Sequence, residues 1–321
     1  MIRTARPGDD DALLTLWAEC FPGARRLPAL YALDPGRYHR TFVAARADGT
    51  LDAVVVYVPR SVRDANGTPH RIGGIGSVAT RPEARGRGLV RALLSAATDT
   101  MTDEGCAWSL LFTGTPGVYR GSGWTEFARP TTEGRLAAPH TVPSAPGEAP
   151  TPHRVRAVTP ADTPALARLQ SAYNATRPLT AVRGPDDWRV RVPALYARPC
   201  WSLLAEDPTD GTLTGWLVAR PAAPGRTDVL ETALHPGHPD ALGALYAALA
   251  ERVRAAGHTR VRVLLPPSTA VTEAEPRLLA PGTVTTGADT SGMARPLLAP
   301  RAAVTRTVTA PGAAHWYGDS F

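Results

Sequence analysis

The chain has 321 residues, 43% of them hydrophobic, enough for two domains with ordinary buried cores. Its net charge of +6 rests on 35 arginines and no lysine. Spread along the whole length, and accompanied by abundant Ala, Pro and Gly, they read as the codon bias of a GC-rich genome rather than as a nucleic-acid-binding patch.

No apolar run approaches a membrane span, and three aspartates stand where a signal peptide needs its apolar region. Cys20, Cys106 and Cys200 are odd in number and lack the spacing of a metal site or a disulfide framework. The expectation is a cytoplasmic protein with reduced thiols, no metal, and neither membrane nor nucleic acid as a partner.

In chain order, Arg3 opens a short strand, Pro7-x-Asp9 marks a helix start, and Ala12, Leu13 and Leu16 give that helix an apolar face. A looser segment bearing Phe21, Tyr31 and Tyr38 follows. Asp48-Gly-Thr-Leu51 is a turn into the strand AVVVYV. The strand GGIGSVAT then runs directly into Arg81-Pro-Glu-Ala-Arg-Gly-Arg-Gly88, after which Val90, Leu94, Ala97 and Met101 share one helical face. This helix ends at Gly105, before the strand AWSLLF. Residues 131–152 are rich in proline and poor in large apolar side chains, and read as a linker.

Beyond the linker the chain repeats itself. Arg156, Pro160, Asp162, Ala165, Leu166 and Leu169 match the opening at one constant offset; Asp210-Gly-Thr-Leu213 matches the turn, and a helix ending at Gly257 precedes the strand TRVRVLL. Three matches in one order mean a duplicated mixed α/β fold. The expected organisation is a first domain over 1–130, a linker over 131–152, a second domain over 153–299 and a tail over 300–321.

Arg85-Gly-Arg-Gly88 at a helix start reads as a phosphate-binding device; a merely structural Arg-rich helix cap is the alternative, and it leaves both glycines unexplained. The first turn has N–H groups without intrahelical partners, glycines let the backbone approach an anion, and guanidinium groups bond a pyrophosphate bidentately. GxGxxG is not met, the Gly-Lys-Ser/Thr ending of a P-loop is missing, and an RG-rich RNA-binding tract would be longer and repeated. At the Gly105/Gly257 offset the second copy has Gly237, His238, Pro239 and Asp240, so a carboxylate replaces the arginines and one site per chain is expected.

The run Arg85-Gly-Arg-Gly-Leu-Val-Arg-Ala-Leu93 resembles the acyl-CoA pyrophosphate loop of the GNAT N-acetyltransferase superfamily, departing from it at Val90, where the family usually has a small residue. In a tandem chain it is similar to the Eis (enhanced intracellular survival) branch, without that branch's extra C-terminal domain. The resemblance implies tandem acyl-CoA N-acyltransferase domains using acetyl-CoA as cosubstrate. It also implies that Val78, Ala79 and Thr80 pair with the pantetheine arm, and that Arg85, Gly86, Arg87, Gly88 and Leu89 hold the pyrophosphate. Val118-Tyr-Arg-Gly-Ser-Gly-Trp124 resembles the family's Tyr-x-x-x-Gly-Phe/Trp segment, making Tyr119 the acid for the departing thiolate; a tyrosine packed below the site is the alternative.

The chain closes with Ala314-His-Trp-Tyr-Gly-Asp-Ser-Phe321, unusually aromatic for an end. By resemblance to Eis-like enzymes the Phe321 carboxylate enters the first-domain site as base, its pKa raised by burial from about 3.5. Plain hydrophobic docking is the alternative. His315, Asp319, His70, Glu126 and a water-mediated route are further choices for the base.

Trp17, Phe21, Tyr31 and Tyr38 are the candidate acceptor contacts. The acceptor implied by analogy is an amine on a small molecule, such as an aminoglycoside-like or other natural-product antibiotic. A protein or peptide amine, and a non-catalytic acyl-CoA-binding module, are the rival readings. The oligomeric state, a homo-oligomer included, is left open.

Overall fold

A computed structural model of the chain describes residues 1–21, 26–139 and 153–321. The first half contains β1 (Ile2–Thr4), α1 (Asp10–Cys20), α2 (Leu27–Tyr31), β2 (Thr41–Ala45), β3 (Leu51–Arg63), β4 (Pro69–Thr80), α3 (Leu89–Asp103), β5 (Trp108–Phe112), α4 (Gly117–Arg120) and β6 (Thr125–Arg135). The second contains β7 (Arg154–Ala157), α5 (Thr163–Tyr173), α6 (Val192–Leu195), β8 (Trp201–Glu206), β9 (Leu213–Ala223), β10 (Arg226–Leu234), α7 (Ala241–Ala255), β11 (Arg260–Val263), α8 (Thr269–Ala274), β12 (Thr285–Pro296) and α9 (Arg301–Val308).

The sequence repeats recur as repeated bonding. Arg3 forks onto Asp9 at 2.6 and 2.8 Å, and Arg156 forks onto Asp162 at 2.8 and 2.7 Å, in each case tying a first strand to the turn that starts its helix. The Asp48 and Asp210 carboxylates accept from the amides of Thr50 and Thr212 at 2.9 and 2.8 Å, with Gly49 and Gly211 left-handed between them.

Alternation along β3 builds the core of the first half. Val54 and Val56 face α1, packing with Leu13, Leu16 and Trp17, while Ala53, Val55 and Tyr57 face α3, packing with Leu93, Leu94, Ala97 and Met101. The C-terminal end of β4 therefore emerges between two helices on opposite faces of the sheet.

Among the described residues twelve strands form one sheet in the order β1-β2-β3-β4-β5-β12-β6-β11-β10-β9-β8-β7. The halves thus exchange their last strands. β12 runs antiparallel to β5 from Gly292↔Phe112 to Pro296↔Trp108, and β6 runs antiparallel to β11 from Arg260↔Arg135 to Val263↔Thr132. This corrects the linker boundary: residues 131–135 are inner strand, because β11 and β12 satisfy both of its edges despite its few large apolar side chains. Pro130, which has no N–H to give, is accommodated beside a register shift opposite Asp289 and Gly292. Residues 136–139 are described, with Leu136 bridging Leu279, and the rest of the expected linker, 140–152, lies outside the described residues.

Strand exchange has a testable consequence. Residues 1–139 expressed alone would expose the edges of β5 and β6, which the second half otherwise covers, and are expected to aggregate. Co-expression with residues 153–321 is expected to return soluble material, measured by size-exclusion chromatography. Among the described residues no helix is long and apolar enough to cross a membrane.

Candidate active site

Arg81 fixes the loop before α3: its Nε donates to the Leu51 carbonyl at 2.9 Å, and its Nη1 bonds both Glu19 oxygens at 2.7 and 2.5 Å. Gly86 and Gly88 adopt φ of +75° and +74°, and Gly88 is the N-cap of α3. Nothing lies within 4 Å of where a Cβ would stand at either, so the backbone conformation, open to solvent, is what selects glycine here. Beside them Arg87 leans on the buried Asp52 at 3.4 Å, and Arg46 holds that carboxyl below its usual range.

A cleft of about 700 Å³ runs from this loop along the end of β4 to α4. It brings together Val78–Thr80, Arg85–Leu89 and Tyr119. Arg91, which sequence reasoning missed, lines it too and adds a third guanidinium near the helix start. Tyr119 sits on α4, edge-on to Trp124 at 6.5 Å. Burial pushes its phenol pKa up, only partly offset by a bond from Thr113, so at neutral pH it holds its proton.

Two features open the sheet at the head of this cleft. β4 and β5 run parallel in register over Gly73↔Ser109 and Gly74↔Leu110, after which β4 continues to Thr80 on its own course. The β3–β4 register then jumps from Val56↔Gly76 to Val54↔Ala79, so Ser77 and Val78 together oppose one residue, with Ser77 at φ +53°. Such a bulge turns backbone polar groups away from the ladder.

Trp17 holds the bulge from beneath, its Nε1 donating to the Ser77 carbonyl at 2.9 Å. This corrects its expected role: Trp17 is buried in the α1 core and faces neither cavity. Tyr38 is likewise displaced from the acceptor contacts, because its hydroxyl is spent on Asp10 at 2.9 Å and its ring lies under Arg37.

Phe21 and Tyr31 do line a second, smaller cavity of about 310 Å³ on the other side of the bulge. Its walls are mostly apolar: Leu27 and Leu30 of α2, Val56 and Val58 of β3, and Phe321. Ser77, Asp34, Arg37 and Arg191 are its polar members, and Asp34 is paired with Arg40 at 2.9 Å. Phe21 lines both cavities, which thus adjoin.

The tail enters where β4 and β5 part. A Cβ on Gly74 would fall 1.9 Å from the Phe321 ring, and one on Gly76 would fall 2.7 Å from the terminal carboxyl carbon. These two glycines, on one face of β4, are the cradle of the last residue. Alternating glycines in the strand GGIG are the signal that could have announced this close approach.

His315 stacks on Phe112 at 5.0 Å and meets the Phe321 ring, tilted against it, at 5.2 Å. Asp319, fully buried, accepts from Arg183 Nε at 2.7 Å, with Arg60 at 3.5 Å. Arg183 also donates to Glu231 at 2.8 Å, and Tyr196 donates to Glu231 while accepting from the Gly318 amide at 2.8 Å. Burial alone would push the Asp319 carboxyl up, but Arg183 and then Arg60 hold it below the ordinary range; burial wins at Glu231 and raises it. Arg191 closes the clamp by donating to the Ser320 carbonyl at 3.1 Å.

The alternative bases are thereby accounted for. Asp319 is neutralised by guanidinium groups; His70 pairs with Asp64 at 3.2 Å and Glu126 with Arg120 at 2.6 Å, and none of the three lines either cavity. Desolvation pushes the His315 pKa down to about 4. The unfolded imidazole takes a proton below about 6.5, so between those values the unfolded chain holds more protons and stability falls as pH falls. The expected loss from pH 7 to pH 4 is about 3 kcal/mol for this group, removed in His315→Phe and measurable as the pH dependence of the melting temperature.

The second half is built on the same plan with different chemistry. Asp240 is the N-cap of α7 where Gly88 caps α3, and its carboxylate meets His153 at 3.0 Å.

A family model described as an acetyltransferase (GNAT) domain matches residues 1–127. No curated protein matches the sequence. Among solved structures, a probable N-acyltransferase from Enterococcus faecalis V583 is similar over 93% of this chain and 73% of its own, with a TM-score of 0.68 at 16% identity. Eis1 from Mycobacterium abscessus is similar over 93% and 74%, with a TM-score of 0.63 at 16% identity. N-myristoyltransferase from Saccharomyces cerevisiae, solved with bound myristoyl-CoA, is similar over 92% and 78%, with a TM-score of 0.56 at 12% identity. Residues 1–127 therefore match a GNAT acetyltransferase domain, and the chain as a whole shares the fold of Eis1 and of the probable N-acyltransferase.

Proposed function

We propose that the protein transfers an acetyl group from acetyl-CoA to the amine of a small, apolar-bodied molecule. In this reading Arg85, Arg87 and Arg91, with the first amides of α3, hold the pyrophosphate, and the pantetheine arm lies along Val78–Thr80. The amine approaches from the smaller cavity. Its nitrogen forms a bond to the thioester carbon, backbone N–H groups at the β4 bulge stabilise the oxyanion, the C–S bond breaks, and Tyr119 protonates the departing thiolate. The Phe321 carboxylate takes the proton that the nitrogen sheds.

The observation that carries this is the meeting of the two cavities at Phe21 and the bulge, with Tyr119 lining the larger and Phe321 the smaller. The acceptor's character follows from the smaller one. About 310 Å³ of mainly aliphatic and aromatic wall, bearing Arg37 and Arg191 and one carboxylate already paired with Arg40, suits a monoamine on an apolar frame. A polyhydroxylated polycation of the aminoglycoside type would leave its hydroxyls unpaired against these walls.

Calorimetry with acetyl-CoA tests the cosubstrate reading. Saturable one-to-one binding is expected, weakened at least tenfold in Arg85→Ala/Arg87→Ala and with a smaller salt dependence, since fewer phosphate charges are then met. Undiminished affinity in that variant would remove the reading's basis. A panel of arylalkyl and alkyl monoamines against aminoglycosides, followed by release of free thiol, then ranks the acceptors.

A further inference from the structure

The geometry points to a metal site in the second half: we propose that His153, His238 and Asp240 bind one zinc-type divalent cation. The loop His235-Pro-Gly-His-Pro-Asp240 connects β10 to α7, the place that Arg85–Gly88 holds in the first half. His153 stands just before β7, with its side chain buried. The donor atoms of His153, His238 and Asp240 all lie within 4.8 Å of one another.

The arrangement has the marks of a ligand set and not only of a hydrogen-bonded pair. His153 Nε2 faces Asp240 Oδ2 at 3.0 Å, while its Nδ1 lies 3.1 Å from Thr214 Oγ1 of β9. An Nδ1–H donated to Thr214 leaves the lone pair on Nε2, the atom aimed at the site, which is how an outer partner usually orients a ligating imidazole. The His238 ring stands edge-on to that of His153, centroids 5.6 Å apart. His235 is excluded from the set because its Nδ1 accepts from the Gly237 amide at 3.2 Å.

Two imidazoles and a carboxylate with room for water match the three-ligand, tetrahedral habit of Zn²⁺. Bonds of about 2.0–2.1 Å place such donors roughly 3.4 Å apart, so His238 and Asp240, on the exposed side, close by rotation about their side-chain bonds onto the fixed His153. Charge is consistent with this. The positive end of the α7 dipole disfavours a bare cation, and the Asp240 carboxylate at the N-cap supplies the intervening negative charge. The ion would clip the start of β7 to the start of α7, at the position that the proposed pyrophosphate loop holds in the first half.

The test uses the untagged full-length chain, stripped with EDTA and dialysed, titrated with ZnCl₂ by calorimetry and with Co²⁺ by visible absorption. Expected are one saturable site per chain, an intense tetrahedral Co²⁺ spectrum and a zinc-dependent rise in melting temperature. His238→Ala leaves the His153–Asp240 hydrogen bond in place and removes a half-exposed side chain, so it should fold; it is expected to weaken zinc at least tenfold and abolish the cobalt spectrum. Asp240→Asn should do the same. Absence of saturable binding, or binding unchanged in His238→Ala, overturns the proposal and leaves a hydrogen-bonded pair capping α7. Neither result depends on acetyl-CoA binding in the first half.

Discussion

Asp319→Ala is expected to lower the stability of the folded chain by roughly 3–5 kcal/mol, the range for breaking one partner out of a buried ion pair. The side chains of Arg183, Glu231 and Asp319 are fully buried, and Arg60 and Asp187 add a further pair at 2.5 Å. Removing Asp319 leaves Arg183 with one buried carboxylate in place of two, and deprives Arg60 of a contact in the same low-dielectric space. Urea or thermal unfolding measures the loss, with the melting temperature expected to fall by about 10 °C. Asp186→Ala, which breaks the exposed pair with Arg189, is the control and should leave stability unchanged.

The pH signature separates this network from the histidine nearby. The folded Asp319 carboxyl lies below its unfolded value of about 3.9, so its contribution is present above that pH and is lost as pH falls through the lower folded value. His315 acts earlier, between about 6.5 and 4. A melting curve against pH should therefore show two descents, and His315→Phe should abolish only the first.

Much of the first-half site was legible because its signals are local. Arg-Gly-Arg-Gly before an amphipathic run fixes a turn and a left-handed N-cap at a helix start without help from distant residues, and the segment around Tyr119 follows its strand at short range. The duplication was legible for the same reason: Arg3/Asp9 and Arg156/Asp162 are self-contained bonding units. Long-range partners were not. Nothing near Thr131–Arg135 announces that β11 and β12 will enclose it, and a tryptophan on the first helix and a tyrosine in the looser segment after it look equally able to line a pocket until their polar atoms are seen bonded to Ser77 and Asp10. Arg191 reaches the smaller cavity from the second half, and HPGHPD reads as the loss of a phosphate loop until His153 is brought beside it.

Under the proposed acyl transfer, Tyr119→Phe is expected to lower kcat by about 10²–10⁴-fold while leaving the Kd for acetyl-CoA unchanged. The ring keeps its packing against Trp124 and only the phenol proton is lost. Burial raises the phenol pKa, so the wild-type acid stays protonated across the neutral range and its removal should appear as a uniform drop in rate, with the basic limb of the pH profile moved or erased.

Deleting Phe321 tests the other end of the proton path and must be read against a control for docking. The deletion removes both the ring seated over Gly74 and the terminal carboxylate beside Gly76. Amidation of the C-terminus by semisynthesis removes the charge alone. If the carboxylate is the base, amidation and deletion should both cost kcat, and the acidic limb that reports the base should vanish in each. A deletion that slows turnover while the amidated chain keeps its full rate and profile would show that the tail serves by packing, and would return the base to a water molecule at the bulge.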